Sequence, residues 1–358
     1  MAEGFVRHAG DRHHGAHGGA MSRALGVPAG GFLDFSQNIN PLGTPASALK
    51  AAQQALESDV DTYPDTEYLD LREALGGYLG VSMERVLPTN GGAEAIFLAA
   101  RTAVEGPPGE ALILEPTFSE YATAARAAGL EPAHRVVRRP EDGFRLDDSA
   151  LDDLAGVGVV FLCNPNNPTG EALSRGEVLR VLDRVRESGA ILVVDEAFAD
   201  FAPEISVADV EDDHLYVARS FTKFFAIPGL RLGALVGGDL DRARSFQPSW
   251  SVNAIAAAAG TAAAREEDFT VDSILEVERL RRDLLSALST VPGIEPYTGA
   301  ANFLLLRGPL GLVEKLARLG VLVRGCEPFL GLGPEYLRVA VRGEAENRRL
   351  VDVLREAT

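Results

Sequence analysis

The chain has 358 residues, 46% hydrophobic and 24% charged, which is enough to bury a large core and to form one large domain with a smaller one. Its formal net charge of −18 argues against nucleic acids and anionic membranes as partners, because both are bound by basic surfaces. The apolar runs are far shorter than the roughly 20 residues of a membrane span. With no secretory signal and no disulfide framework in the sequence, we expect a cytoplasmic protein.

Arginine supplies almost all of the positive charge, because Lys50, Lys223 and Lys315 are the only lysines among 34 basic residues. Two explanations of this acidic, lysine-poor composition stay open. One is a saline cytoplasm, in which an acidic surface remains hydrated and its self-repulsion is screened. The other is a GC-rich genome that favours alanine, arginine, glycine and aspartate codons. In either case, a lysine kept in such a chain is a stronger candidate for a function.

The amino-terminal segment is rich in glycine and histidine, with His8, His13, His14 and His17 close together. We expect no metal site here, because no cysteine or carboxylate spacing accompanies these histidines and glycines would hold a metal loosely. His17 precedes two glycines, of which Gly18 is the first. The backbone at this point is open enough to approach an anion.

Helical and strand-like patterns alternate along most of the remaining chain. A segment at 34–43, rich in turn residues and side-chain amides, is either a plain loop or part of a substrate site. The spacing of apolar residues predicts helices at 45–57, 68–79, 174–187 and 266–288. Apolar runs predict strands at 111–114, 157–162, 191–194, 215–217, 303–306 and 336–341. This alternation is typical of an α/β fold with a mostly parallel sheet.

The stretch from 217 to 233 contains the strongest candidate for a catalyst, Lys223. Phe224 and Phe225 deprive its ammonium of hydration, which lowers its pKa toward the range in which a free amine attacks a carbonyl carbon. Ser220 and Arg231 are near enough in sequence to bind a phosphate. A lysine beside a phosphate site fits pyridoxal phosphate. The alternative is a surface lysine and arginine at the end of a strand.

Loops at the ends of predicted elements carry further candidates. Gly91 and Gly92 lead into a helix whose exposed N–H groups suit a phosphate, although many loops enter helices in this way. Phe118 follows a strand, at the edge where open α/β sheets bind ligands. Asn167 lies in a rigid loop of asparagines and prolines and can donate to a phenolate oxygen. Asp195 ends a buried strand and needs a cation, such as a protonated pyridine ring.

Five motifs occur in a meaningful order: Asn-Gly-Gly, Pro-Thr-Phe, Asn-Pro-Asn-Asn-Pro-Thr-Gly, Asp-Glu-Ala-Phe and Ser-Phe-Thr-Lys. Together they resemble, over nearly the whole chain, the fold-type I pyridoxal-phosphate enzymes of the aminotransferase superfamily. The resemblance implies an α/β fold with a mostly parallel seven-stranded sheet in a large domain and a smaller α+β domain. It also implies that pyridoxal 5'-phosphate is joined to Lys223. A dinucleotide site is rejected, because no G-x-G-x-x-G follows the first strand.

The resemblance also implies roles for particular residues. Lys223 and Asp195 would be catalytic, with Asp195 paired to the ring nitrogen of the cofactor. Phe118 would stack on the ring, and Asn167 would lie near its phenolic oxygen. The cofactor phosphate would be bound by Gly91, Gly92, Ala93, Ser220, Arg231 and, across a dimer interface, Tyr63. We therefore expect a homodimer with shared active sites.

The two ends of the chain resemble the threonine-phosphate decarboxylase branch of this superfamily more than the histidinol-phosphate aminotransferase branch. The supporting segments are 17–19, 33–43, 250–254, 324–326 and 337–342. Phe198 agrees, because the aminotransferase branch usually has a tyrosine there. The implied substrate is a small phosphorylated amino acid, bound by His17, Gly18, Asn38, Asn167, Arg324 and Arg338. Arg342 is either a further cation for the substrate or a surface arginine that precedes a helix, and we favour the second interpretation.

The implied reaction is decarboxylation of L-threonine O-3-phosphate to (R)-1-amino-2-propanol O-2-phosphate in cobalamin biosynthesis. A transaminase that acts on a phosphorylated amine with 2-oxoglutarate is the main alternative. A non-catalytic ligand sensor of the same fold is disfavoured, because the chain retains Lys223 and shows no helix-turn-helix segment. We expect an amino-terminal arm at 1–44 that packs on the small domain, a large cofactor-binding domain at 45–250, and a small domain at 251–358.

Overall fold

The structure is a computed structural model that describes residues 31–104 and 109–358. The helices of this part of the chain are α1 (Ala46–Ser58), α2 (Leu69–Leu79), α3 (Gly91–Thr102), α4 (Glu120–Ala128), α5 (Arg175–Glu187), α6 (Phe221–Phe224), α7 (Leu240–Phe246), α8 (Ala254–Ala264), α9 (Glu267–Leu288), α10 (Leu312–Arg318) and α11 (Glu344–Ala357). None of these described helices is long and apolar enough to cross a membrane.

The strands of the same described residues are β1 (Leu33–Asp34), β2 (Val86–Thr89), β3 (Glu110–Glu115), β4 (Glu131–Val136), β5 (Val157–Cys163), β6 (Ile191–Asp195), β7 (Leu215–Ser220), β8 (Gly233–Val236), β9 (Glu295–Pro296), β10 (Phe303–Arg307), β11 (Val321–Leu322), β12 (Arg324–Gly325) and β13 (Tyr336–Ala340). Seven of them form one sheet in the order β2-β8-β7-β6-β5-β3-β4. Strands β4, β3, β5, β6 and β7 are parallel, whereas β8 is antiparallel to both of its neighbours. The predicted α/β fold with a mostly parallel seven-stranded sheet is confirmed.

Both faces of this sheet are covered by helices, as a parallel sheet requires. One face packs with α2, α5 and α8, and the other packs with α3 and α4. Val193 and Ala218 belong to the second face. Because strand side chains alternate, Asp195 and Ser220, two residues farther along β6 and β7, project toward the same α3/α4 face. The register of the strands therefore places these two polar side chains together.

A smaller antiparallel sheet has the order β12-β13-β10-β9. Its apolar side chains, such as Leu304 and Val339, form a separate core with α9 and α11. The first described strand, β1, pairs in parallel with β11, and the carbonyl of Phe35 accepts from the backbone N–H of Ala340 at 2.9 Å. Helix α8 packs against α1 and α2. The three-part division proposed from the sequence stays a prediction.

Candidate active site

A cavity of about 480 Å³ opens where the carboxyl ends of the parallel strands meet the smaller sheet. This edge is where open α/β sheets bind ligands. The predicted site residues that line the cavity are Asn38, Ala93, Phe118, Asn167, Lys223, Arg231, Arg324 and Arg338. Four others, Gly91, Gly92, Asp195 and Ser220, are buried beside these residues. His17 and Gly18 lie outside the described residues.

Lys223 lies on the short helix α6, directly after β7. Its Nζ donates to Thr222 Oγ1 at 3.0 Å and is 5.9 Å from the ring centroid of Phe198. Burial lowers the pKa of Lys223 to about 8, and two nearby arginines add to this effect while Asp195 opposes it. An amine with this pKa is partly neutral near neutral pH, so Lys223 is able to attack a carbonyl carbon.

The amino terminus of α3 presses against a hydroxyl and a guanidinium group. A Cβ atom on Gly91 would lie 2.7 Å from Arg231 Nη2, and one on Gly92 would lie 2.9 Å from the Ser220 Cβ atom. Gly91 also has a φ of 77°, which favours glycine. The Asn90 side chain bonds a backbone carbonyl at 3.1 Å instead of capping the helix. Helix N–H groups, a hydroxyl and an arginine thus converge as a phosphate site requires.

Asp195 ends β6 and is only 4% exposed. Its Oδ1 accepts from the backbone N–H of Ala197 at 3.0 Å, and its Oδ2 accepts from the hydroxyl of Tyr121 at 2.7 Å. Burial raises the pKa of Asp195, while the bond from Tyr121 and the charge of Lys223 oppose that rise. A carboxylate buried in this way is stabilised when a ligand brings a cation to it.

Arg324 and Arg338 stand directly opposite one another on the antiparallel strands β12 and β13. Their relative exposures are 7% and 6%, so both guanidinium groups are largely removed from water. Like charges at opposed positions destabilise a sheet. Burial, with a contribution from Arg324, lowers the pKa of Arg338 to about 10. An anion that contacted both arginines would relieve the repulsion between them.

Neutral groups hold Arg338 in place. It donates to Asn167 Oδ1 and, at 3.1 Å, to the carbonyl of Ser36. With its amide oxygen turned toward the guanidinium, Asn38 accepts from Arg338 at 3.1 and 3.3 Å. Among the described residues, no carboxylate forms an ion pair with Arg338. Its positive charge therefore remains available to a ligand.

Tyr63 and Arg342 do not line the cavity. Tyr63 is 78% exposed and stacks on Trp250 with ring centroids 4.4 Å apart. It does not line the cavity of its own chain, and its role across a dimer interface stays a prediction. Arg342 bonds Glu346 of α11 at 2.7 Å, which agrees with its interpretation as a surface arginine before a helix.

Sequence reasoning missed several residues of the site. Thr222 bonds Lys223, and Tyr121 bonds Asp195, yet neither was proposed for a role. The ring of Phe329 lies under Arg324, with the guanidinium carbon 5.5 Å from the ring centroid. Tyr121 follows the Pro-Thr-Phe motif within four residues, which was an available signal. Phe329 comes from a loop whose sequence gave no such indication.

A larger hollow of about 920 Å³ lies at the opposite end of β7, near Asp212 and Asp239. Its arginines already have acidic partners, since Arg186 bonds Asp212 at 2.9 Å and Arg85 lies 3.8 Å from Glu211. Paired surface charges of this kind indicate a solvated groove. The smaller cavity, with its opposed arginines and Lys223, is therefore the candidate active site.

The fold and the lysine at the end of β7 define a fold-type I pyridoxal-phosphate enzyme. The chain matches the model of the family aminotransferase class I and II over residues 31–354. It is 38% identical to threonine-phosphate decarboxylase of Salmonella typhimurium, over 95% of this chain and 96% of that protein. It is 32% identical to histidinol-phosphate aminotransferase of Methanothermobacter thermautotrophicus, over 94% of this chain and 91% of that protein.

Among solved structures, L-threonine-O-3-phosphate decarboxylase from Porphyromonas gingivalis aligns with a TM-score of 0.79 at 27% identity. That alignment covers 90% of this chain and 98% of the other. The chain therefore belongs to the aminotransferase class I and II family. Its cofactor is pyridoxal 5'-phosphate, and enzymes of this family act on small amino compounds.

Proposed function

We propose that this protein decarboxylates L-threonine O-3-phosphate to (R)-1-amino-2-propanol O-2-phosphate for the cobalamin nucleotide loop. The observation that carries the proposal is the opposed pair Arg324 and Arg338 in one cavity with Lys223. A substrate with both a phosphate and a carboxylate offers an anionic group to each of two adjacent arginines. The relatives named as threonine-phosphate decarboxylases, at 38% and 27% identity, favour the same substrate.

In this proposal, each part of pyridoxal phosphate is matched by one group of the site. Lys223 would bond covalently to the aldehyde carbon, and Asp195 would pair with the ring nitrogen. Phe118 would stack on the ring, and Asn167 would donate to the phenolic oxygen. The phosphate would bind Gly91, Gly92, Ala93, Ser220 and Arg231. When bound, the cofactor supplies an electron sink for the bond that breaks at Cα.

The proposed substrate site uses two loop residues and two arginines of the smaller sheet. Arg324 and Arg338 would bind the two anionic groups, and Asn38 and Asn167 would orient Arg338 through the bonds described above. His17 and Gly18, which lie outside the described residues, belong to the same proposal. The orientation in which these groups hold the substrate selects the bond to be broken.

Phe198 favours decarboxylation over transamination. Its ring is 4% exposed, lines the cavity and lies beside the Lys223 amine. A phenylalanine has no hydroxyl to donate to the cofactor, whereas the resemblance assigns a tyrosine to this position in the aminotransferase branch. Phe198→Tyr is therefore the substitution that brings the site closest to the alternative activity.

We further propose a homodimer in which Tyr63 contacts the cofactor phosphate of the partner subunit. Tyr63, Leu56 and Val60 are exposed by 78%, 60% and 66%, and a second copy of the chain would cover this apolar surface. Mixing Lys223→Ala subunits with Tyr63→Ala subunits tests the proposal. A hybrid dimer contains one site with both residues intact, so we expect activity to reappear on mixing. Light scattering that reports only monomers would contradict it.

The deciding experiment measures carbon dioxide released by purified protein from L-threonine O-3-phosphate without any keto acid. We expect release at a rate that Lys223→Ala abolishes. The same preparation is then given histidinol phosphate and 2-oxoglutarate. Faster transamination of histidinol phosphate than decarboxylation of threonine phosphate would replace the proposal with the aminotransferase alternative.

A further inference from the structure

Tyr121 is a fully buried residue of α4 that touches two proposed cofactor contacts without lining the cavity itself. Its hydroxyl donates to Asp195 Oδ2 at 2.7 Å. Its ring meets Phe118 edge-on, with centroids 5.7 Å apart and an interplanar angle of 83°. On its other side the ring stacks parallel to Phe161 at 5.1 Å. Tyr121 therefore contacts both Asp195 and Phe118.

The contacts of Tyr121 are those of a group that orients a charge. A phenylalanine would fill the same space, and a buried hydroxyl is tolerated only when it is hydrogen-bonded. The partner here is the carboxylate of Asp195, whose other oxygen is held by the Ala197 N–H. With one donor on each oxygen, the plane of the carboxylate is fixed. The bond from Tyr121 also favours the ionised form of Asp195 against burial.

We infer that Tyr121 is a positioning residue for the cofactor ring. It keeps Asp195 charged and aimed at the ring nitrogen, and it sets the tilt of Phe118 through their edge-to-face contact. This inference rests on the proposed cofactor roles of Asp195 and Phe118. It predicts that removal of the Tyr121 hydroxyl weakens cofactor binding only for a ligand that has the ring nitrogen.

The chain offers a matched control for this inference. Tyr78 also donates to a buried aspartate, with its hydroxyl 2.8 Å from Asp200 Oδ1. Asp200 pairs with Arg219 and does not line the cavity. Tyr78→Phe thus removes a tyrosine–aspartate bond of the same kind on the opposite face of the sheet.

The experiment measures the dissociation constants of the apoprotein for two ligands. One is pyridoxal phosphate, and the other is its 1-deaza analogue, in which carbon replaces the ring nitrogen and no N–H can pair with a carboxylate. We expect Tyr121→Phe to weaken pyridoxal phosphate roughly tenfold or more, the effect of losing a hydrogen bond to a charged group. Affinity for the deaza analogue should change by less than about threefold. Tyr78→Phe should change neither affinity.

If Tyr121→Phe lost the same factor of affinity for both ligands, the inference would be overturned. Such a result would indicate a general distortion of the site, which weakens binding whether or not the ligand has a ring nitrogen. Unchanged affinity for pyridoxal phosphate would also overturn it. Asp195→Asn tests the underlying proposal separately: if it leaves the ratio of the two affinities as in the wild type, Asp195 does not contact the ring nitrogen. If Tyr121→Phe does not fold, 3-fluorotyrosine at position 121 replaces it, because this residue has a similar shape and is a stronger hydrogen-bond donor. We expect it to raise the affinity for pyridoxal phosphate and not that for the deaza analogue. Unchanged or weaker binding of pyridoxal phosphate would contradict the inference.

Discussion

The candidate site has two ends that are built in different ways. The cofactor end consists of Gly91, Gly92, Asp195, Ser220 and Lys223. These residues lie at the ends of two strands of the large sheet and in helices α3 and α6. The substrate end consists of Asn38, Asn167, Arg324 and Arg338, which come from two loops and from the smaller sheet, on widely separated segments of the chain. Short motifs determine the first end, whereas only the tertiary fold assembles the second.

The two ends also differ in how their charges are balanced. At the cofactor end, an ion network lies on the opposite face of the sheet, where Arg219 bonds Glu196 at 2.7 Å and also contacts Asp200. Glu196 adjoins Asp195, and Arg219 adjoins Ser220, so this network ties together the ends of β6 and β7. At the substrate end, the charges of Arg324 and Arg338 face each other. A protein retains such local cost where a ligand relieves it.

The largest expected effect is at the cofactor end. Lys223→Ala removes the amine that would hold the cofactor, so we expect activity to fall by at least about 10³-fold. Borohydride treatment of the wild type, followed by mass spectrometry, should place a reduced pyridoxyl group on Lys223. Lys315→Ala is the control and should remain active. A reduced pyridoxyl group on Lys50 or Lys315 would refute the assignment.

Arginine-to-methionine substitutions at the two ends should change the free energy of unfolding by different amounts. Arg219→Met leaves Glu196 and Asp200 buried without their cation, which should lower the free energy of unfolding by roughly 3–5 kcal/mol. Arg338→Met removes one of two opposed like charges, so the change should stay within about 1 kcal/mol or increase stability. Denaturant unfolding of the two apoproteins measures both. A larger loss for Arg338→Met than for Arg219→Met would show that the contrast between the ends is wrong.

Asp195→Asn tests the cofactor end chemically. If the carboxylate keeps the ring nitrogen protonated, its loss should raise the barrier by about 3 kcal/mol, or more than 100-fold in kcat. The measurement is kcat with the cofactor saturating, so that weaker binding does not contribute. Near wild-type turnover with the cofactor bound would contradict the proposed pairing.

The cofactor end was predictable because its residues follow recognisable elements. Asp195 and Lys223 each come at or just after the end of an apolar strand, and both strands were predicted to within three residues of their ends. Within the seven-stranded sheet, the prediction missed β2, which contains Pro88, the four-residue β8, and the partly exposed β4. None of these has the long apolar run on which a prediction of a buried strand depends.

The substrate end was predictable only as a list of residues. The resemblance named Arg324 and Arg338, but their opposition depends on the register of β12 with β13, and a two-residue strand leaves no periodic signal. The bond between Asn167 and Arg338 joins residues 171 positions apart. Tyr121 is a third case. It lies next to the Pro-Thr-Phe motif in the sequence, but only the structure shows that it bonds Asp195.

Substitution of the paired arginines should have a moderate effect confined to the substrate end. Arg324→Ala and Arg338→Ala should each lower kcat/KM for threonine phosphate by at least about tenfold, equivalent to ~1.4 kcal/mol for one charge-assisted contact. A misoriented substrate should also lose a proton more often, and the resulting pyridoxamine phosphate can be quantified by chromatography. Cofactor affinity is the control and should change little. Full decarboxylation without pyridoxamine phosphate in both variants would contradict the orientation argument.

The smallest expected effect concerns the pH at which Lys223 loses its proton. Charged residues of both ends affect this pH. Because burial lowers the pKa of Lys223 to about 8, its neutral fraction should rise from about one-tenth at pH 7 to about nine-tenths at pH 9. The rate at which the apoprotein captures pyridoxal phosphate should rise with pH in the same proportion and level off above pH 9, since only the neutral amine attacks the aldehyde.

Each end should move this midpoint in its own direction. The negative charge of Asp195 raises the pKa of Lys223 and the positive charge of Arg338 lowers it. Asp195→Asn should therefore shift the midpoint of the capture rate to lower pH, and Arg338→Met should shift it to higher pH. Stopped-flow absorbance of the apoproteins between pH 6 and 10 measures all three profiles, with Lys315→Ala as the unchanged reference. Shifts in the same direction for both variants would mean that a general rearrangement of the site, and not the opposite charges of Asp195 and Arg338, determines the pKa of Lys223.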